Sequence, residues 1–241
     1  MKKINWHNIR VLLMLGVVVF LYSFTSKRNE SRRLKDIHIE FSDSDKNFLT
    51  YDMVNKLLIQ NFDTVTSIRK DKLDLNKLEK RLNKHPMIEN AEVFSTIDGR
   101  LKTVVTQKTP IGRVYQGSDS YYIDYKGNKM PLSENFTSRV PLVTGEVDKA
   151  DPEKLNDLLR YIHDDDFLVK NIIGIEIKPS GTLRMLNRNY NYEIDFGELI
   201  NVERKFNNYK AFFQNGVKDT LIEKYKTINL KFTQQVVCTK N

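Results

Sequence analysis

Residues 82–93 read LNKHPMIENAEV, and this stretch decides the fold of the first half of the chain. It begins at the last apolar position of a helical pattern and runs into the start of a strand. Between the two, the pair His85-Pro86 stops the helix, because the residue before a proline avoids helical backbone angles. The stretch therefore predicts a helix that ends before the proline and a strand that re-enters a sheet soon after it.

On the N-terminal side of this stretch, the pattern predicts two helices and one strand. The nearer helix is capped by Asp74 and has its apolar residues at helical spacing. An earlier helix follows an N-cap at Thr50 and continues to about Asn61. Before it, residues 36–41 alternate between polar and apolar, which is typical of a half-buried strand.

On the C-terminal side, two strands are predicted at about 91–96 and 101–108, joined at Asp98-Gly99, which is a hairpin signal. The order is then strand, helix, helix, strand, strand. A three-stranded sheet with two helices on one face satisfies this order and forms a compact α+β unit.

The charge distribution excludes one large class of function. The chain has 241 residues and a net charge of +8, but residues 1–35 hold eight basic residues and one acid. The remaining 206 residues are therefore close to neutral, at +1. A nucleic-acid-binding domain needs a basic face on its folded part, so we expect no nucleic-acid partner.

The composition also predicts neither a cofactor nor a small-molecule substrate. The single cysteine, Cys238, excludes an internal disulfide and a cysteine-rich zinc module. The four histidines are far apart in sequence and none has a ligand partner at metal-binding spacing.

An uncharged stretch near the N-terminus predicts a membrane anchor. Residues 11–24 read VLLMLGVVVFLYSF, and two more uncharged residues extend the predicted transmembrane helix to 11–26. Sixteen residues span about 24 Å, which is short for a bilayer core of about 30 Å, but flanking Arg10 and Lys27 can snorkel. A cleaved signal peptide with a poor cleavage site at 23–25 and a buried core helix are the alternatives. The anchor residues are Val11, Leu12, Leu13, Leu15, Val17, Val18, Val19, Phe20, Leu21 and Phe24.

The orientation of this helix does not follow from a simple charge count. Three basic residues precede it and five follow within eleven residues of Phe24, which would place the C-terminal side inside. Long domains, however, are translocated largely regardless of charge. We therefore expect residues 1–10 in the cytoplasm, a charged juxtamembrane linker at 27–34, and the rest of the chain outside.

The second half of the chain, residues 110–241, predicts a mixed, mostly antiparallel β domain with flanking helices. Asp151-Pro152 places a cap and a first-turn proline before one helix, and Phe206, Tyr209 and Phe213 form the apolar stripe of another. Strands are expected near 121–124, 142–143, 173–177, 182–186 and 190–196, with a last strand at 227–233 that continues to 237.

No catalytic constellation is visible in the sequence, which predicts a protein that is not an enzyme. There is no glycine-rich phosphate loop and no nucleophile elbow. Asp164-Asp165-Asp166 is typical of a solvated loop more than of a cation site. Cys238 lies in a predicted strand, where a small packed apolar role is expected rather than a nucleophile.

In their order along the chain, these features resemble the FtsQ/DivIB family of bacterial cell-division proteins. A short basic N-terminus and one membrane segment precede a unit that looks like a POTRA domain. Gln107 stands where the family pattern usually has an acid. The segments that carry the resemblance are 82–93, 105–112, 122–127, 140–145 and 227–232.

The resemblance implies a POTRA-like domain at 35–109 and a C-terminal β domain at 110–241. It also implies a scaffold of the inner-membrane division machinery, located at the division septum, that links early and late division proteins. The implied partners are FtsB-like and FtsL-like single-span coiled-coil proteins, bound by strand addition at the C-terminal edge. The implied contact residues are Phe232, Gln235, Val236, Val237 and Thr239.

Other interpretations of these features remain open at the level of sequence. Ile228 and Leu230 are expected to face the core, whereas Val236 and Val237 could contact either the core or a partner. POTRA domains also occur in envelope assembly and secretion factors that dock polypeptide clients, which is the main alternative function. An anchored envelope enzyme is a third possibility, with a site assembled from distant residues.

Overall fold

The computed structural model describes residues 6–30, 34–43, 46–59, 73–96, 98–218 and 222–240. The chain divides into two compact units, Met1–Gln107 and Lys108–Asn241. Helix α1 (Trp6–Glu30) opens the first unit and is apolar enough to span a membrane over Ile9–Lys27. It continues through residues 27–30, which the sequence pattern assigned to a linker, because this stretch contains no glycine or proline that would end the helix. Residues 31–33 of that linker lie outside the described residues.

The rest of the first unit has the predicted order of strand, helix, helix, strand, strand. The middle strand of the sheet is the last in sequence, parallel to the first strand and antiparallel to the second. The Asp74 carboxylate accepts the Lys77 N–H at 3.1 Å, as expected of an N-cap. The elements are β1 (Asp36–Phe41), α2 (Tyr51–Ile59), α3 (Leu75–Asn83), β2 (Ile88–Ser95) and β3 (Arg100–Gln107). Asn61, the predicted end of α2, lies outside the described residues.

Gln107 has a structural role that suits an amide better than an acid. Its side chain is buried, and its Oε1 accepts the Leu49 N–H at 2.9 Å. Its Nε2 donates to the Lys46 carbonyl in the same loop. A carboxylate can only accept when ionised, so the amide satisfies both backbone groups without burying a charge.

The second unit is built on one nine-stranded sheet. Five of its strand pairs are antiparallel and three are parallel, which confirms the mixed, mostly antiparallel β domain. The strands are β4 (Pro110–Gln116), β5 (Asp119–Asp124), β6 (Lys129–Met130), β7 (Leu142–Gly145), β8 (Ile172–Ile177), β9 (Leu183–Asn187), β10 (Glu193–Gly197), β11 (Tyr225–Asn229) and β12 (Val237–Lys240). Their order across the sheet is β12-β11-β10-β9-β8-β7-β4-β5-β6.

The helices of this unit supply much of its core. Asp151 caps helix α4 (Pro152–Asp164) as predicted, by accepting the Glu153 N–H at 3.0 Å. A short helix, α5 (Leu168–Asn171), follows, and the long helix α6 (Val202–Lys218) precedes the last two strands. Phe206 and Tyr209 on α6 are fully buried, which confirms that the aromatic stripe belongs to the core.

Strand β4 has no counterpart in the sequence-based prediction. Its first three residues, Pro110, Ile111 and Gly112, are all buried, so the usual alternation between polar and apolar residues is absent. Gly112 packs so closely on Leu159 of α4 that an added Cβ would lie 2.9 Å from a Leu159 methyl carbon. Burial on both faces removes the periodic signal on which a strand prediction depends.

The prediction of one continuous last strand is wrong. Residues 225–229 and 237–240 are two antiparallel strands, β11 and β12, and residues 230–236 connect them. The Leu230 N–H bonds to the Asp195 carbonyl at 2.9 Å, and the Lys231 N–H bonds to the Asn229 side chain at 3.0 Å. The Leu230 bond continues the parallel pairing with β10, and this pairing ends at Lys231, whose N–H bonds to the Asn229 side chain instead. The chain then turns back and pairs with β11 as β12.

Candidate partner-binding edge

The last strand, β12, lies at one end of the nine-stranded sheet. Within the described residues it pairs only with β11, with Ile228 opposite Cys238 and Asn229 opposite Val237. The other side of β12 therefore presents backbone N–H and C=O groups along an open edge. Such a row of groups is a template for another strand.

The two faces of β12 have different environments. Cys238 packs against the core beside the fully buried Ile228, and burial raises the pKa of its thiol. Val237 and Thr239 point to the opposite face, where Val237 is 42% exposed. Cys238 therefore anchors β12 to the core, and the side chains of Val237 and Thr239 face solvent.

The connection between β11 and β12 is anchored at several points and presents an aromatic ring. Leu230 is buried, and Lys231 forms an ion pair with Asp195 at 2.6 Å. Asn208 of α6 donates to the Thr233 carbonyl at 3.0 Å. Between these anchors, Phe232 is 51% exposed. A large exposed apolar side chain beside an open strand edge is typical of an interaction surface.

The structure places the five predicted contact residues along this edge and its connection, with one distinction. Phe232, Gln235, Val237 and Thr239 are exposed. Val236 is half-buried and packs against the core. Ile228 and Leu230 are buried, as expected. We name the surface formed by Phe232, Gln235, Val237 and Thr239 on and beside β12 the C-terminal edge.

Asp195 organises this surface, and the sequence analysis did not single it out for that role. Its carbonyl holds Leu230, and its carboxylate pairs with Lys231 and lies 3.8 Å from the Lys178 amine. The sequence signal for this role was only that Asp195 is an acidic residue within an alternating strand. Such residues are common on exposed sheet faces, so the signal does not predict a structural role.

Two of the three consecutive aspartates have contacts of their own in the folded chain. Asp164 accepts the Tyr125 hydroxyl at 2.8 Å. Asp165 pairs with Lys210 and accepts the Leu168 N–H at 2.9 Å. Over residues 6–240, in the parts that the structure describes, no group of three or more His, Cys, Asp or Glu residues is arranged to hold a metal ion.

Comparison with known proteins identifies both units. A family model described as a POTRA-like domain matches residues 33–106. A second, described as FtsQ/DivIB, C-terminal related, matches residues 109–239, which is more than half of the chain. This chain belongs to the FtsQ/DivIB family.

A curated relative is consistent with this FtsQ/DivIB assignment. The chain is 27% identical over 173 residues to the cell division protein FtsQ of Salinibacter ruber (strain DSM 13855 / M31). The match covers 65% of this chain and 66% of that protein, slightly less than two thirds of its length. Membership of the FtsQ/DivIB family supports a role in cell division, and the apolar helix α1 fits a single-span membrane protein of this family.

Proposed function

We propose that this protein is a non-enzymatic scaffold of bacterial cell division that recruits FtsB-like and FtsL-like coiled-coil proteins, with β12 as the strand to which a partner strand is added. The observation that carries the proposal is the position of β12 at the end of the nine-stranded sheet, with Phe232 and Val237 exposed beside it. Membership of a family of division scaffolds supports the same role.

The charges beside the C-terminal edge favour a different chain as the occupant over a second copy of this one. Lys226 and Lys240 are exposed on β11 and β12 and have no ion-pair partner within the described residues. Neither β11 nor β12 contains an acidic residue, so pairing two copies at this edge would add basic residues with no acid to neutralise them. A partner strand with acidic residues at its ends would neutralise these lysines.

The proposed anchor is helix α1, with residues 1–10 in the cytoplasm and residues 27–241 outside. Its apolar side chains from Val11 to Phe24 are exposed in the absence of a bilayer, as a membrane-spanning helix requires. Attachment of an impermeant maleimide to a cysteine introduced at exposed Tyr115, in a Cys238→Ser background, tests this orientation in intact cells. Labelling without cell lysis supports it, and labelling only after lysis contradicts it.

Site-specific photo-crosslinking at Phe232 tests the proposed partner contact. The structure offers a matched control, because Phe232 is 51% exposed and Tyr115 on β4 is 52% exposed. Both positions accept benzoylphenylalanine in place of a natural aromatic residue, so neither change disturbs the core. We expect an adduct with a small single-span coiled-coil protein from position 232 and none from position 115.

Two other outcomes of this experiment would reject the proposal. Adducts with a β-barrel protein or a secreted client would support the assembly-factor alternative. Equal adduct yields from both positions would show that the C-terminal edge is not a specific contact. We chose Phe232 rather than Val236 because Val236 packs against the core, where a bulky probe would strain β12.

A further inference from the structure

The exposed ring of Phe232 depends on its backbone for its position. The ring is 51% exposed, and within the described residues it stacks on no other aromatic ring. It lies in the connection between β11 and β12, outside both strands. The groups that hold residues 230–233 therefore decide where this side chain points.

The residues on both sides of the ring are anchored. Before it, Lys231 is held twice, because its N–H donates to the Asn229 side chain at 3.0 Å and its amine pairs with the Asp195 carboxylate at 2.6 Å. After it, Asn208 of α6 donates to the Thr233 carbonyl at 3.0 Å. The ion pair ties the side chain before the ring to β10, a strand that is distant in sequence.

The end of β10 is shaped to receive this lysine. The Lys231 side chain lies against Gly197, where an added Cβ would be 2.7 Å from the lysine Cγ. From α6, the buried Lys205 amine donates to the carbonyls of the two residues that flank Gly197, at 2.9 and 2.7 Å. These bonds fix the backbone on which the lysine side chain rests.

The Asp195 carboxylate depends on Lys231 for its charge balance. Its side chain is only 18% exposed, and its Oδ1 is buried without a hydrogen bond. A second amine, that of Lys178, lies 3.8 Å from Oδ1, beyond hydrogen-bonding distance. A carboxylate with so little access to water needs a close counter-charge, and Lys231 supplies it.

We propose that Asp195 is a positioning residue for the partner site at the C-terminal edge. Acting through Lys231, it fixes the backbone that carries Phe232 before a partner arrives. The partner then does not have to order this side chain on binding, and the affinity is higher because that entropic cost is removed. This inference rests on the function proposed above.

Two alanine variants of β10 separate this role from a general effect of charge. Asp195→Ala leaves the amines of Lys178 and Lys231 near each other without their shared counter-charge, so Lys231 should move away. Glu193→Ala is the matched control, because Glu193 is an acid on the same strand that pairs with Arg184 at 3.1 Å and has no bond to residues 230–233.

The first measurement is the fluorine NMR spectrum of the full chain in lipid nanodiscs, with 4-fluorophenylalanine in place of Phe232. We expect one narrow resonance, well separated from that of the chain unfolded in urea. Asp195→Ala should move it toward the unfolded position, and Glu193→Ala should not. Unchanged circular dichroism and slow labelling of Cys238 would show that β12 stays docked in both variants.

A double-mutant cycle tests whether the effect passes through Lys231. Lys231→Met removes the amine and keeps an unbranched side chain, and it should move the resonance as far as Asp195→Ala does. The double variant should move it no further, since the second change removes a partner that is already lost.

The second measurement is the partner-adduct yield in cells, with benzoylphenylalanine in place of Thr239 so that Phe232 is intact. Asp195→Ala should lower this yield about fivefold, as expected when one more side chain must be ordered on binding. Glu193→Ala should leave it unaltered.

The outcomes separate failure of this proposal from failure of the proposed function. A normal adduct yield in Asp195→Ala would overturn the positioning role and leave the partner site intact. Additive shifts in the double variant would show that Asp195 does not act through Lys231. The absence of any adduct from the otherwise unaltered chain would reject the partner site itself and, with it, the role of Asp195 in binding.

Discussion

Gly145 cannot be replaced freely, because of its backbone angle and its close contact with a neighbouring strand. It ends β7 with a φ of +87°, and an added Cβ would overlap the Ile177 carbonyl of the neighbouring strand. The Glu146 N–H bonds to that same carbonyl at 2.8 Å, so the oxygen has no freedom to move away. The glycine of the segment 140–145 is therefore needed both for its backbone angle and for the approach of two strands.

We predict that Gly145→Ala lowers the free energy of unfolding by about 3 kcal/mol or more, from left-handed strain and from displacement of β8. Gly117 is the matched control, because it has a φ of +62° and no neighbouring atom within 4 Å of an added Cβ. Gly117→Ala should cost about 1–2 kcal/mol. Urea unfolding of the detergent-solubilised chain, followed by circular dichroism, measures both. Equal losses would show that the contact with Ile177 is unimportant.

Asp124 organises the turn between β5 and β6. Its Oδ1 accepts the N–H groups of Lys126 and Asn128 at 3.0 and 2.8 Å, and its Oδ2 pairs with Lys108 at 2.7 Å. Burial opposes ionisation of this carboxyl, but the Lys108 amine and the Asn128 N–H outweigh it and lower its pKa. The aspartate of the 122–127 segment is thus the structural centre of its turn.

We predict that Asp124→Asn lowers the stability at pH 7 by about 2–4 kcal/mol, because Lys108 loses its buried counter-charge. Since the folded pKa lies below the unfolded value, this stabilisation is present above the unfolded pKa, near pH 4, and is lost as the pH falls through the folded pKa. The difference between wild type and variant should therefore shrink below about pH 4. A difference that stays constant down to pH 2 would contradict this role.

At the scale of an element, β12 is short and depends on one core contact. Cys238 is the lone cysteine of the chain and faces the core from this strand. Burial raises the pKa of its thiol, so its reaction with a disulfide reagent reports how often β12 separates from β11.

We predict slow labelling of Cys238 at pH 7, with a rate that still increases above pH 9 and rises sharply at urea concentrations below the global unfolding midpoint. Thr239→Cys in a Cys238→Ser background is the control, because position 239 is exposed on the same strand and should react at the rate of a free thiol. Similar rates at the two positions would show that β12 is not docked. Absorbance of the released thiolate measures both reactions.

At the scale of the whole molecule, helix α1 is the part whose environment is not water. No side chain in its apolar stretch is buried by the rest of the chain. In water such a helix would expose a large apolar surface, which is unfavourable. In a bilayer this surface contacts lipid, and the helix satisfies its own backbone hydrogen bonds.

We predict that the full chain stays in the membrane fraction after alkaline carbonate extraction and that Val18→Arg, at the centre of the span, releases a large part of it. An arginine at this depth costs about 2.5–3.5 kcal/mol of insertion free energy. Val18→Leu is the control and should have no effect. The intact mass of the membrane-bound protein tests cleavage, and loss of the first 25 residues would support the signal-peptide alternative.

The local patterns of the sequence determined which elements the POTRA-like unit contains. A helix cap such as Asp74, a stop such as His85-Pro86 and an alternating strand depend on residues that are neighbours in the chain. Their physical causes are local, so the order of elements could be predicted. The anchor prediction depends in the same way on one uninterrupted apolar stretch.

Only the tertiary structure decided which strand edges are open, and therefore where partners can bind. β4 was missed because burial on both faces hides its periodicity, and the last strand is divided because the chain leaves the sheet after Leu230 and returns to pair with β11. The cover of β2 by Glu79 and Asn83 likewise requires a helix to lie beside the strand. Strand pairing and edge protection arise from contacts between distant residues, and these contacts leave no periodic pattern in the sequence.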